Sequence, residues 1–142
     1  MKIKDIMTKN VAYLNPQATI VDAAKMMEQY NIGSVPVCDQ SGVVGIITDR
    51  DIVVRNIAQG KASQNTIVKD VMTANVTTVS SDMDVNEASR IMSQQQIRRL
   101  PVVENNKVVG MVSLGDLAVD DRFYEEASEA LSDISFPARP KK

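Results

Sequence analysis

The chain contains no histidine. That removes the side chain most often used as a general base near neutral pH, and the commonest transition-metal ligand. It also has a single cysteine, Cys38, so no intrachain disulfide can form, and the thiolate and imidazole set of a structural zinc site is missing. Cys38 follows Val-Pro-Val, and a reduced, buried thiol is expected there. Aromatic residues make up 4% of the chain, which leaves little for stacking on single-stranded nucleic acid. A formal charge of -2 argues against binding nucleic acid by bulk electrostatics. No apolar run approaches the ~20 residues of a membrane-spanning helix. The charged start (Lys2, Lys4, Asp5) is not followed by the apolar core of a secretion signal. A soluble, cytoplasmic protein is therefore expected. No nucleophile is spaced with a base in a recognisable motif, and a non-catalytic protein is expected.

What the chain does have is a repeat. Gly45-Ile46-Ile47-Thr48-Asp49-Arg50-Asp51-Ile52 recurs 65 positions later as Gly110-Met111-Val112-Ser113-Leu114-Gly115-Asp116-Leu117. In both copies a Val-Val-Gly-led apolar run reaches a hydroxyl residue, and an aspartate follows three positions on. Residues 3–53 align without a gap on residues 68–118. Identical pairs include Asp5/Asp70, Met7/Met72, Thr8/Thr73, Pro36/Pro101, Gly45/Gly110 and Asp51/Asp116. Chance does not give an ungapped match of that length, so the repeat is the unit to interpret.

Each copy reads as β-α-β-β-α. A short turn or helix (Ile3–Met7, Val68–Met72) leads to a brief β run (Val11–Leu14, Val76–Val79). An amphipathic helix follows, with Ile20, Ala23, Ala24 and Met27 on one face of the first copy. Val85, Ala88, Ile91 and Met92 play that part in the second. Thr19-x-x-Asp22 and Asp84-x-x-Glu87 read as helix-capping signals. A proline-containing strand (Ser34–Cys38, Arg99–Val103) points to a sheet edge or strand start, because proline has no N–H to donate. A polar turn and a second strand (Val43–Thr48, Val108–Ser113) complete a hairpin, and a helix begins near Asp49 and Leu114. One copy is small for independent stability, so the two are expected to bury their open faces together. The expected organisation is a first repeat over 1–60, a linker over 61–66, a second repeat over 67–131 and a flexible tail over 132–142. In the second repeat the last helix is expected to run from Leu114 through Phe123 to about Leu131, with Phe123, Ala127 and Ala130–Leu131 on its packed side.

Thr48-x-x-Asp51 and Ser113-x-x-Asp116 fit two roles. One is a capping box that starts a helix. The other is half of a nucleoside-phosphate site. Free N–H groups and a hydroxyl at a helix start attract phosphate, and an ionised aspartate accepts from the two hydroxyls of a ribose. Gly45 and Gly110 would permit close backbone approach. Arg98 and Arg99 stand where the first copy has Gly33 and Ser34, and their fork geometry suits phosphate. Plain surface charge is the other account of that pair.

The Asp-x-Met-Thr openings, the Ile-Gly-Ser-Val-Pro-Val and Ile-Arg-Arg-Leu-Pro-Val-Val strands and the Gly-x-x-Thr/Ser-x-x-Asp endings, in order and duplicated, resemble a tandem pair of CBS domains (a Bateman module) over residues 3–118. The resemblance implies an α+β (α/β) fold of two repeats about a pseudo-twofold axis, often dimerised into a disc, with adenosine ligands in clefts between repeats. It implies ribose contacts from Asp51 and Asp116, phosphate contacts from Thr48, Ser113, Arg98, Arg99 and, more weakly, Arg50, and an adenine region lined by Gly33, Ser34, Val35 and Leu100. AMP, ADP or ATP is the implied ligand class, with S-adenosylmethionine and NAD as further candidates, and no metal or cofactor is implied. The function expected is a ligand sensor acting as a homodimer, with an unidentified protein partner. The alternative is a purely structural dimerisation or interaction module whose motifs are only helix caps. Because the arginine pair occurs in one repeat only, unequal affinities are expected. The cleft reached by Arg98 and Arg99 should prefer the more phosphorylated ligand.

Overall fold

The computed structural model describes residues 1–136. Of the expected flexible tail, residues 137–142 lie outside the described residues, whereas 132–135 belong to a helix. The chain divides into two compact units, and these are not the two sequence repeats. One unit joins residues 1–11 to 77–105 and to the described residues from 109 on; the other comprises 12–76 with 106–108.

The reason lies in the strands that open each repeat. In the first unit, β1 (Thr8–Lys9) pairs antiparallel with β6 (Lys107–Ser113), which also pairs with β5 (Arg99–Glu104). In the second unit, β4 (Thr73–Ala74) pairs antiparallel with β3 (Gly42–Thr48), which pairs with β2 (Ser34–Asp39). Each sheet therefore takes its third strand from the opening of the other repeat. The proline-bearing strands β2 and β5 are sheet edges, as the missing N–H predicts. The β runs expected at Val11–Leu14 and Val76–Val79 reduce to single parallel bridges, Leu14 to Val37 and Val79 to Val102. The pairing strands lie a few residues earlier, where Thr8–Lys9 and Thr73–Ala74 are too short and too weakly apolar to carry a hydrophobic pattern.

Gly45 and Gly110 are central to this pairing. A Cβ on Gly45 would lie 2.5 Å from Met72 Sδ and 2.8 Å from Thr73 O, and one on Gly110 2.7 Å from both Met7 Sδ and Thr8 O. The close approach these glycines permit is therefore to the incoming strand and its methionine, and the phosphate approach expected of them is not what fills the space.

The helices follow their sequence patterns closely. α1 (Ile20–Tyr30) starts at a reciprocal Thr19–Asp22 capping box and buries Ile20, Ala23 and Met27. Ala24, expected on the same face, is exposed. α3 (Val85–Gln95) starts at Asp84, whose carboxylate accepts from the Asn86 N–H, and buries Val85, Ala88 and Met92. α2 (Asp49–Asp51) is a single turn that runs on as a wider π-helical segment, Ile52–Ile57. α4 (Leu114–Ala118) does not continue to Leu131 as expected. It stops, a 3₁₀ turn at Asp121–Phe123 intervenes, and α5 (Tyr124–Ser135) begins anew. The Asp120 carboxylate accepts the Arg122 N–H and fixes that break.

Each unit has its own core. Ile3, Val85, Met92, Leu100, Val102, Val112 and Leu117 form one, with Phe123, Ala127 and Ala130 added from the chain's C-terminal part. Leu14, Ile20, Val35, Val37, Ile47, Val68 and Val71 form the other. Cys38 is only half-buried, and that burial, with Asp39 beside it, raises its thiol above the ordinary value. Among the described residues no helix is long and apolar enough to cross a membrane.

Candidate functional site

Both hydroxyl-x-x-aspartate turns are built as capping boxes. The Ser113 N–H donates to Asp116 Oδ2 at 2.8 Å, and the Asp116 N–H donates to Ser113 Oγ at 3.2 Å. Thr48 and Asp51 repeat this at 3.1 and 3.0 Å. Each turn is tied to the strand beside it by one backbone bond, Leu114 N–H to Arg98 O at 2.8 Å and Asp49 N–H to Gly33 O at 3.0 Å. The bond from Leu114 sets Arg98 next to Ser113, even though fifteen positions separate them in sequence.

In the first unit this arrangement opens onto a cavity of about 520 Å³ lined by Arg98, Arg99, Ser113, Leu114, Gly115 and Ala118, with Tyr124, Ala127, Ser128 and Leu131 opposite. That volume is in the usual range for a small-molecule site. Neither arginine is in an ion pair among the described residues. The Ser113 hydroxyl accepts from the cap but keeps its own proton to donate. The cavity can thus offer a planar guanidinium fork and a hydroxyl to an anion, beside apolar surface.

Asp116 does not line this cavity. It faces a separate concavity of about 550 Å³, with Asp5, Ile6, Val119, Asp120, Asp121 and Arg122. Within this unit the structure therefore brings together the three phosphate candidates Arg98, Arg99 and Ser113 and places the ribose candidate elsewhere. Leu100 is 0% exposed and belongs to the core, so neither its side chain nor its backbone is open to solvent.

The second unit has a different electrostatic setting. Asp51 is 8% exposed, and its Oδ1 lies 3.7 Å from Arg55 Nε. Arg55 in turn donates to the Val71 and Met72 carbonyls at 3.4 and 3.3 Å. At the place where the first unit has Leu114 beside Arg98, this unit has Asp49 beside Gly33. A Cβ on Gly33 would come within 3.0 Å of Asp49 Oδ2. A carboxylate thus occupies the neighbourhood that holds two guanidinium groups in the other unit. Ser34 is buried at the start of β2, Val35 is a core residue at 0% exposure, and Arg50 is exposed on α2.

Two sets of residues go beyond the sequence expectations. Arg55 stands four positions after Asp51, the helical spacing at which opposite charges meet, and that spacing is a signal the sequence carries. Tyr124, Ser128 and Leu131 form a second stripe on α5, beside the one that packs. Leu131, expected in the packed stripe, is 51% exposed and faces the cavity instead.

Comparison with known proteins accords with this geometry. The family profile of the CBS domain matches residues 3–56 and 68–119. The CBS domain-containing protein YhcV of Bacillus subtilis (strain 168) is 46% identical over 133 residues, which cover 94% of each chain. The CBS domain pair of protein MJ0100, solved in complex with 5′-methylthioadenosine and S-adenosyl-L-methionine, is 31% identical with a TM-score of 0.75 over 88% of this chain and 96% of its own. The hexameric CBS-CP12 protein from bloom-forming cyanobacteria is 29% identical with a TM-score of 0.78, over 88% of this chain and 73% of its own. The two matched stretches each contain one of the capped turns described above and together span most of the sequence, and on that ground the chain belongs to the CBS domain family, as a tandem pair.

Proposed function

We propose that this chain is a non-catalytic regulatory module that binds an adenosine-type ligand and passes the binding event to a partner as a shift in conformation. AMP, ADP and ATP are the first candidates, with S-adenosylmethionine and NAD behind them. The observation that carries this is the cavity in which two arginines, in no ion pair among the described residues, and the Ser113 hydroxyl converge beside apolar side chains. The adenosine compounds held by the MJ0100 pair support it by kinship. Arg98, Arg99 and Ser113 would hold phosphate, and Thr48, with Arg50 nearby, would do so in the other unit. Asp116 faces the other concavity of this unit, and its Oδ1, with no hydrogen-bond partner among the described residues, would accept from a ribose that extends there. Asp51 would do the same only in competition with Arg55. Gly33 and Ser34 would meet the base in that other unit, while Val35 and Leu100, fully buried, would each back a site from its own core. Exposed Val53, Val54 and Ile57 on the segment after α2 would serve a self-association surface.

The test is a thermal-shift panel on ligand-free protein with AMP, ADP, ATP, S-adenosylmethionine, NAD and GTP. A ligand at a hundred times its dissociation constant adds about 2.7 kcal/mol, a rise on the order of 10 °C for a chain this size. A rise with an adenosine compound and none with GTP is expected.

A second reading, a dimerisation or interaction module whose motifs act only as caps, is favoured by one observation: both aspartates are already engaged in capping boxes. Asp116→Asn separates the two readings. An amide oxygen can still accept the Ser113 N–H, so a cap keeps most of its strength. A ribose contact to a carboxylate weakens instead, and the thermal shift with the adenosine ligand shrinks.

A further inference from the structure

Helix α5 begins at Tyr124, beyond residue 119 where the family match ends, yet it forms one whole side of the arginine cavity. One face of the helix packs and the next lines the cavity, with Ala127 at the boundary of the two. Ala127 and Ala130 are buried in the core with Phe123 just ahead of the helix, and Ile134 packs partly against it. Tyr124, Ser128 and Leu131, at i, i+4 and i+7, line the cavity. The helix is held in place at two points on α3 and its cap. Ser89 Oγ donates to the Glu126 carbonyl at 3.3 Å, and Gln96 Nε2 donates to the Asp133 carbonyl at 3.0 Å. It is therefore a fixed wall.

The chemistry of the two sides is complementary to one kind of molecule. The strand side presents two guanidinium groups with no carboxylate partner among the described residues and a hydroxyl that can donate. The α5 side presents a tyrosine ring that is 68% exposed, an exposed leucine and a small serine. An aromatic side chain left in water at the rim of a cationic cavity is suited to a flat, apolar group attached to an anion. We infer that Tyr124 is a ligand-binding residue of this site, stacking on the base of a nucleoside phosphate whose phosphate is held by Arg98, Arg99 and Ser113. This rests on the proposed adenosine-ligand function and adds to it a base contact from outside the repeat.

The experiment is isothermal titration of the full chain with AMP, for the wild type, Tyr124→Ala and Tyr124→Phe. Circular dichroism melts accompany each variant, and the exposure of Tyr124 predicts that both fold. Loss of one base–aromatic stack weakens binding by roughly tenfold or more. Expected are wild-type binding of AMP, a loss of that size in Tyr124→Ala, and near-wild-type affinity in Tyr124→Phe, which keeps the ring. AMP binding unchanged in Tyr124→Ala overturns the role of α5 and leaves the adenosine function standing. Equal losses in both variants place the effect on the hydroxyl and overturn stacking. No binding by the wild type of AMP, nor of any other adenosine compound in the thermal panel, overturns the stacking role and the adenosine function together.

Discussion

Asp51 and Asp116 hold the same position in the repeat but different charge environments. Asp51 is buried and faces Arg55, whereas Asp116 borders a concavity it shares with Asp5, Asp120 and Asp121. The position equivalent to Arg55 is Asp120, so a cation in one repeat is replaced by an anion in the other. The arginine pair has the opposite bias, since its counterparts are Gly33 and Ser34, with Asp49 close by. Arg98→Ala and Arg99→Ala are therefore expected to weaken ATP more than AMP, by roughly tenfold each for ATP if a charge-assisted bond is lost. Titration of both nucleotides checks this, and equal small losses would sink it. A further prediction at this scale concerns acid. Glu104 accepts from the Ser81 hydroxyl at 2.6 Å and from the Ser81 N–H at 2.9 Å, and these bonds hold its carboxyl below the usual range. A depressed folded-state pKa stabilises above the unfolded value near 4.5 and loses that contribution as pH falls through the folded value. Melting temperature between pH 6 and about 3 should fall less steeply in Glu104→Gln than in the wild type.

At the scale of elements, the glycines of β3 and β6 separate pattern from packing. Gly60 also precedes a repeat, but a Cβ there meets nothing within 4 Å, and its φ of +72° is the reason for glycine. Gly45 and Gly110 carry no such angle among the positive-φ glycines; their constraint is the strand laid against them. Gly110→Ala must displace the Thr8 carbonyl, part of a strand backbone with little freedom to move. It is expected to cost about 2 kcal/mol and to lower the melting temperature by roughly 5 °C or more, with Gly45→Ala similar. Calorimetry on the two variants measures it. Much of this level is legible in the sequence. The helices α1 and α3 announce themselves by apolar spacing and caps, and β2 and β5 declare an edge position through Pro36 and Pro101. The partners of β1 and β4 are not legible, because a strand of two residues carries no periodicity. Nor is the break after Ala118, because Asp120 turns the chain through a local side-chain bond in a stretch whose composition still suits a helix. At the candidate site, the hydroxyl-x-x-aspartate turns and the arginines can be read from the repeat itself. The separation of Asp116 from the arginine cavity cannot, since neighbours on one short helix can face different hollows.

At the scale of the whole molecule, sequence repeat and compact unit are different divisions of one chain. Ile3, fully buried, belongs to a core made by residues from Val79 to Ala130, and Val68 and Val71 belong to a core made by residues from Leu14 to Ile52. A cut between the repeats therefore removes fully buried residues from both cores. Fragments 1–66 and 67–142 are expected to lack cooperative melting when separate and to regain it when mixed, as followed by circular dichroism; independent folding of either fragment would contradict the interlaced cores. The same arrangement bears on synthesis. Residues 12–76 leave the ribosome as one nearly continuous run and can assemble their sheet once β4 is out. Residues 1–11, made before them, have no strand to join until β6 is complete about a hundred residues later, a wait of roughly 5–20 s at ordinary elongation rates. Ile3 and its neighbours pass that interval without their core, so an apolar segment stays open to other chains and to chaperones while the rest of its unit is made.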